Sequence, residues 1–246
     1  MIVYYSSFFK DFDEDGLRLA ERNLDFFEPE RLIGIDPEVY GSKDATHSNQ
    51  SYTRCPAYND YFKNIFAIKS QTDYDLNIDS ANNKIYSTVF NQKFFDELVF
   101  IRSLEHRLIS LNIGYIFITE ENDLYITQES CMYKKSNFID NTIMVPGTFN
   151  IGAWPRPINI AFHMVGDKLE IKHGDPLFAL RFHTNEKIQF KRFFATEKFT
   201  EYQQSLLKTK TAFKQLKSLN YLYDIFNRNK GLKKLMLNEV KKNLLD

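Results

Sequence analysis

The chain has 246 residues, 43% of them hydrophobic and 26% charged, which suits a folded unit with a sizeable core and excludes a disordered polymer. Its 32 Lys and Arg balance 32 Asp and Glu, so no global field draws it to nucleic acid or to an anionic membrane. The two cysteines, Cys55 and Cys131, fit neither a disulfide framework nor a four-ligand zinc site, and no stretch reaches the ~18 uninterrupted apolar residues of a membrane span; a cytosolic protein with no membrane partner is expected.

In chain order, IVYY reads as a short strand, and Leu17–Phe27 as a short helix stopped by Pro29. Between them, Asp11, Asp13, Asp15 and Gly16 reproduce the opening of a calcium-binding EF-hand loop. Position twelve of that loop is Arg22 where a bidentate Glu is required, so a solvated acidic turn is expected instead. A stretch rich in Gly, Pro, Ser, Asp and Asn, GIDPEVYGSKDATHSNQSYTRCPAYNDYF, follows and reads as a long surface loop. In CPAYNDYFKNIF, Arg54, Tyr58, Tyr61 and Lys63 combine rings with cations. They form a candidate contact surface, with packing of the rings onto the body as the alternative.

From Ile65 the pattern alternates: FAIKSQTDYDLNID and KIYSTVF are expected to form a hairpin around SANN. NQKFFDELVFIRSLEHRLISL carries Phe94, Leu98, Ile101, Leu104 and Leu108 at spacings of 3 and 4 and is read as helix, with a strand at FFDELVF as the alternative. GYIFITEE and LYITQESC, separated by Asn122 and Asp123, predict a second hairpin. The segments FNIGAW, INIAFHM, KLEIKHG, LFALRFH and KIQFKRFF recur at intervals of about ten residues between turn signals, the pattern of an antiparallel sandwich or barrel. The expected class is therefore mainly β with α additions: a jelly-roll-like β-sandwich body over residues 1–195, irregular in its N-terminal segment, then a C-terminal helical unit over 196–246.

Two constellations inside the body carry chemistry. His163, His173 and His183 fall ten residues apart on successive strand segments, where a cupin-like barrel would hold Fe2+ or Zn2+. Paired His-x-His ligands are missing, so the expectation is no cofactor, with the three-histidine metal enzyme of iron-oxygenase type as the alternative. In GAWPRPI the prolines interrupt the sheet ladder, Trp154 covers a core edge, and Arg156 is a rigid guanidinium suited to a carboxylate or phosphate.

Residues 196–246 hold ten Lys and one Arg against three Glu and two Asp, a net +6 that leaves −6 for residues 1–195. Phe199, Tyr202, Leu206, Phe213 and Leu216 form an apolar helical stripe, Thr196 or Thr200 can cap the first helix, and Gly231 stands at a helix boundary. Lys210 and Lys214 belong to the face left for an acidic partner.

The stretches CPAYNDYFKNIFAIKS, FNIGAWPRPI and LEIKHGDPLFALRF resemble, in that order, a family of proteins encoded by T4-like phages of marine bacteria, cyanophages among them. The resemblance covers roughly residues 50–184 and carries no activity and no catalytic residue. It implies a viral accessory protein in the cytoplasm of the host bacterium or in the virion. The expected function is accordingly non-catalytic: binding of a host or virion macromolecule, a protein more than a nucleic acid, with homo-oligomerisation left open.

Overall fold

The structure is a computed structural model in which residues 1–7, 30–31, 56–70, 72–131, 135–155, 157–213, 221, 224, 228 and 230–245 are described. The acidic EF-hand-like run and the expected helix at Leu17–Phe27 lie outside these residues.

The largest sheet is built on β7 (Leu108–Ile118), an 11-residue strand. Along one edge β7 pairs antiparallel with β11 (Pro157–Met164), which in turn pairs with β9 (Thr142–Val145). The other edge is divided: β1 (Ile2–Ser7) takes residues 115–118 and β6 (Val99–Ser103) takes residues 108–111. β14 (Gln189–Arg192) extends the sheet beyond β1 in parallel. A second sheet runs β10 (Gly147–Asn150), β8 (Tyr125–Glu129), β13 (Pro176–Phe182), β3 (Ile65–Lys69) and β2 (Glu30–Arg31), all antiparallel. A third holds β12 (Lys168–Ile171), β4 (Tyr74–Asp79) and β5 (Lys84–Tyr86). The fold is mainly β, a sandwich with a helical addition.

Alternation explains the core. On β11 the residues Ile158, Ile160, Phe162 and Met164 are buried while their neighbours are only half-buried, the period of two that one packed face requires. Facing sheets meet through aromatic rings: Phe66 of β3 and Phe182 of β13 stand edge-on to Phe190 of β14 at 4.7 and 5.5 Å, and Phe182 lies 6.0 Å from Phe117 of β7. Much of the chain's high Phe content is spent here and not on a surface.

Several expectations change. The segment read as a long helix forms only α2 (Gln92–Leu98), capped by Asn91, whose side chain accepts from the Phe94 N–H. The stretch read as a long loop ends in a helix, α1 (Pro56–Tyr61), whose Tyr61 ring packs onto the body, while residues 34–55 of that stretch lie outside the described residues. The run after Leu98 pairs with β7 as β6, because Val99, Phe100 and Ile101 favour an extended chain and the free edge of β7 supplies its hydrogen bonds. Ile101 and Leu104, part of the apparent helical stripe, are exposed and half-buried. The hairpin expected around Asn122 and Asp123 does not form, since β7 and β8 belong to different sheets and the connection crosses between them. FAIKSQTDYDLNID likewise splits into β3 and β4, in separate sheets, while the SANN turn does join β4 to β5. From β10 to β13 each successive strand enters a different sheet from its predecessor, the crossing habit of a jelly-roll-like sandwich.

The tail packs on its own body. α4 (Glu197–Phe213) starts at Thr196, whose hydroxyl accepts from the Phe199 N–H at 3.2 Å, and α5 (Lys230–Lys242) includes Gly231 in its first turn. α3 (Asn137–Asp140) is a single turn that inserts Phe138 against Phe162 at 5.0 Å. Phe199, Leu206, Met236 and Val240 form one cluster with Tyr4, Ile116, Ile118, Trp154 and Phe193, so the helices cover part of the large sheet. Leu244 adds an isolated bridge to Phe193. No helix among the described residues is long and apolar enough to cross a membrane.

Candidate functional site

A groove of about 410 Å³ lies over the end of the large sheet that the helices leave uncovered. Its floor comes from β7 and β11: Ser110 and Asn112 from the first, Asn159 and Ala161 from the second. These are the strand positions that alternate with the core residues Ile109, Leu111, Ile160 and Phe162, so they stand on the opposite face. One wall is Phe100 and Arg102 of β6; the other is Val145, Pro146, Gly147 and Phe149, with Gln128 of β8 behind.

The local sequence accounts for this shape. Pro146 cannot continue a ladder, and the chain changes sheets there, from β9 beside β11 to β10 beside β8. Gly114 has φ of +66°, and the pairing of β7 with β11 slips between Ile158 and Asn159, which bends β7 above its helix-covered half. Asn112 holds that bend by accepting from the Gly114 N–H at 3.1 Å. A side chain at Gly147 would place its Cβ 3.1 Å from the Phe149 ring, so glycine there keeps the wall open.

The groove's hydrogen-bonding capacity is one-sided. Ser110 spends its proton on the Ile160 carbonyl at 3.1 Å. Asn112 uses its oxygen on Gly114 and retains its amide N–H donors. Arg102 and Asn159 make no side-chain hydrogen bond or ion pair with another described residue. Gln128 is 2% exposed, and its Nε2 has no partner. A buried donor left unmade costs about 1–3 kcal/mol, so its position beside a cavity marks a place for an acceptor. Among the described residues Arg102 carries the only formal charge in the lining.

The expected site residues are dispersed. Trp154 is 4% exposed inside the helix-sheet cluster, so it is scaffold and not a contact surface. Arg54, Arg156 and Lys214 lie outside the described residues, as do the side chains of Tyr58, Lys210 and Phe213. Lys63 is exposed. Tyr61 is partly exposed, but its ring carries the Arg181 guanidinium at 4.4 Å, and Arg181 also pairs with Glu129 at 2.9 Å. That arrangement fastens α1 to β13 and β8.

The three histidines do not converge. His163 on β11 bonds the His106 carbonyl through Nδ1 at 2.9 Å; His183, just after β13, meets Thr127 Oγ1 through Nε2 at 2.6 Å; His173 sits in the turn after β12, its backbone N–H on Asp73. No group of three or more His, Cys, Asp or Glu side chains is placed to hold a metal among the described residues.

Two polar centres outside the groove are structural. Asp75 of β4 accepts from the Ser87 and Thr88 hydroxyls and from the Thr88 and Val89 N–H groups. Burial pushes its carboxyl up, but these donors outweigh burial and hold it well below the usual carboxylate range. At the helix junction, burial and then the neighbouring Glu120 push the Tyr4 phenol up to about 12. Glu120 itself is lowered, by the Lys241 ammonium first and Tyr4 second.

Sequence reasoning missed the groove. Gln128 did leave a trace: in YITQES it occupies the same strand face as Ile126, where alternation calls for an apolar residue. No protein-family model matches this chain, and no curated protein matches it either.

Proposed function

We propose that the chain is a non-catalytic binding protein, a β scaffold that holds a ligand or a segment of a partner in the groove over β7 and β11. The observation that carries this reading is the buried, unpartnered Nε2 of Gln128 at a cavity whose other free groups are also mostly donors. Acid-base or covalent catalysis needs a carboxylate, imidazole, thiol or activated hydroxyl at the reacting atoms. The lining offers Ser110 alone, with its proton committed to a backbone carbonyl. The rim is apolar, with Phe100 and Val145 about two-fifths exposed and Ile143 beyond them 65% exposed. Such a rim suits a protein partner more than a nucleic acid, whose backbone calls for clustered cations. The resemblance to phage-encoded proteins extends the proposal to an accessory protein acting on a host or virion macromolecule.

The test is NMR mapping with a mixed panel of anionic, neutral and cationic small organic compounds. Binders are expected to shift the Gln128 side-chain amide and the Ala161 and Gly147 backbone signals, and Ala161→Trp, which fills the floor, is expected to abolish these shifts while leaving the melting temperature near that of the parent. Binders that shift other surfaces only, or that bind Ala161→Trp unchanged, would refute the groove as the site.

A further inference from the structure

We infer that the groove's ligand is a monocarboxylate with an apolar body, an inference that rests on the groove being the binding site. The free hydrogen-bonding groups decide the polar end. Arg102, Gln128 Nε2 and the amide N–H groups of Asn112 and Asn159 are donors without a partner among the described residues, and they outnumber the acceptors, which are the amide oxygens of Asn159 and Gln128 and the remaining lone pairs of Ser110. A sugar or a neutral amide presents donors and acceptors in comparable number and would leave its own donors poorly matched here. A carboxylate is acceptor-only and meets the donors that predominate here.

Charge decides the valence. Among the described residues one guanidinium and no Asp or Glu lines the groove, a formal charge of +1 that matches a single carboxylate. A phosphate monoester, at about −1.5 to −2 near neutral pH, would bring charge that only neutral amides remain to meet. Arg102 presents a planar fork able to grip both oxygens of a carboxylate, and Gln128 places its unpartnered Nε2 on the buried side of the groove. The remaining lining, Phe100, Val145, Pro146, Phe149 and Pro157, is hydrocarbon, so the rest of the ligand is apolar. The volume falls at the small end of pockets for organic ligands, about 300–1,000 Å³.

The experiment uses the full chain with 4-phenylbutyrate and octanoate, their primary amides, and inorganic phosphate, followed by calorimetry and by the Gln128 side-chain NMR signal. The acids are expected to bind and to shift that signal, and the amides to bind at least about tenfold more weakly. Arg102→Gln and, separately, Gln128→Leu are each expected to weaken acid binding by about tenfold to a hundredfold, with the folded spectrum otherwise retained. Amides that bind as well as the acids, or acid binding indifferent to Arg102→Gln, would overturn the carboxylate assignment and leave the groove standing as a site. Phosphate binding alone would replace the ligand class with an inorganic anion. If neither acids, amides nor phosphate shifts groove signals while other compounds do, this inference fails alone; if nothing shifts them, the binding reading fails with it.

Discussion

The two halves of β7 present the same strand face to different surroundings. At residues 116 and 118 that face carries Ile116 and Ile118, both fully buried beneath α4 and α5 with Trp154 and Phe193. At residues 110 and 112 it carries Ser110 and Asn112, which floor an open groove. Between them stand Gly114 and the register slip against β11. A single strand thus serves as a docking ledge and as a site, and the side chains announce which half is which. Where the chain supplies its own cover the face is hydrocarbon; where it does not, the face is polar and hydrogen-bonded to the local backbone.

The contrast breaks most severely if the cover is removed. Phe193 is fully buried and lies 5.0 Å from the Phe199 ring, so it joins the large sheet to the first helix. Phe193→Ala is expected to cost about 3–5 kcal/mol, the range for emptying a buried aromatic site. Urea unfolding measures it, and a loss under about 1 kcal/mol would mean that the helices are not held by this cluster.

A smaller effect belongs to the groove half. Asp75 draws together the segment 87–89, which leads through α2 into β6, the strand that supplies Phe100 and Arg102. Asp75→Asn is expected to cost about 1–3 kcal/mol, since several donors lose their charged acceptor. The pH dependence has a definite sign. Its folded carboxyl is depressed, so the stabilisation is present above the unfolded value of about 3.9 and is lost as pH falls toward the folded value. Stability curves of the parent and of Asp75→Asn should therefore converge as the solution is acidified below about pH 4; parallel curves would contradict the hydrogen-bond account.

Legibility in the sequence followed the same division. β11, β12 and the helices after Thr196 could be read because one packed face imposes a period on each, and β13 and β14 because turn residues bound them, whereas FNIGAW leaves β10 after Asn150 for a turn. What could not be read was pairing. GYIFITEE and LYITQESC look like hairpin partners because turn chemistry is local, but which sheet a strand joins depends on residues distant in the chain, and β7 finds β1, β6 and β11 instead. The α2–β6 boundary was hidden for a related reason, since Phe94 and Leu98 obey helical spacing by packing while Ile101 and Leu104 match it by coincidence. The groove was least legible of all. Its residues come from six strands and the bend between two of them, and each alone is an ordinary polar or apolar strand residue. Histidines and an isolated tryptophan drew attention by rarity, and there rarity marked scaffold.

The charge asymmetry suggested that electrostatics could hold the basic tail to the acidic body, and the structure lets that contribution be compared with hydrocarbon contact. Lys241 does pair with Glu120 at 2.8 Å, and Glu120 also accepts from Tyr4 at 2.9 Å. Both partners of the ion pair are about half exposed, however, and an exposed pair is worth about 0–1 kcal/mol. Lys233 is better placed, donating to the Glu120 and Glu121 carbonyls, but backbone acceptors make that a polar fastening that salt does not abolish. The same sheet face buries Ile116, Ile118, Phe193 and Phe199 with five more side chains, Leu206, Met236 and Val240 from the two helices, Tyr4 from β1 and Trp154 from the segment before β11, at roughly 1.5–3 kcal/mol for a large side chain. Hydrocarbon therefore fixes the tail, and charge only trims it. Lys241→Ala is expected to lower stability by no more than about 1 kcal/mol. Raising NaCl to about 1 M, where the screening length is near 3 Å, is expected to erase that small difference without releasing the helices. A salt-induced loss of helix-body contact, read as new amide exchange along α5, would instead assign the docking to charge.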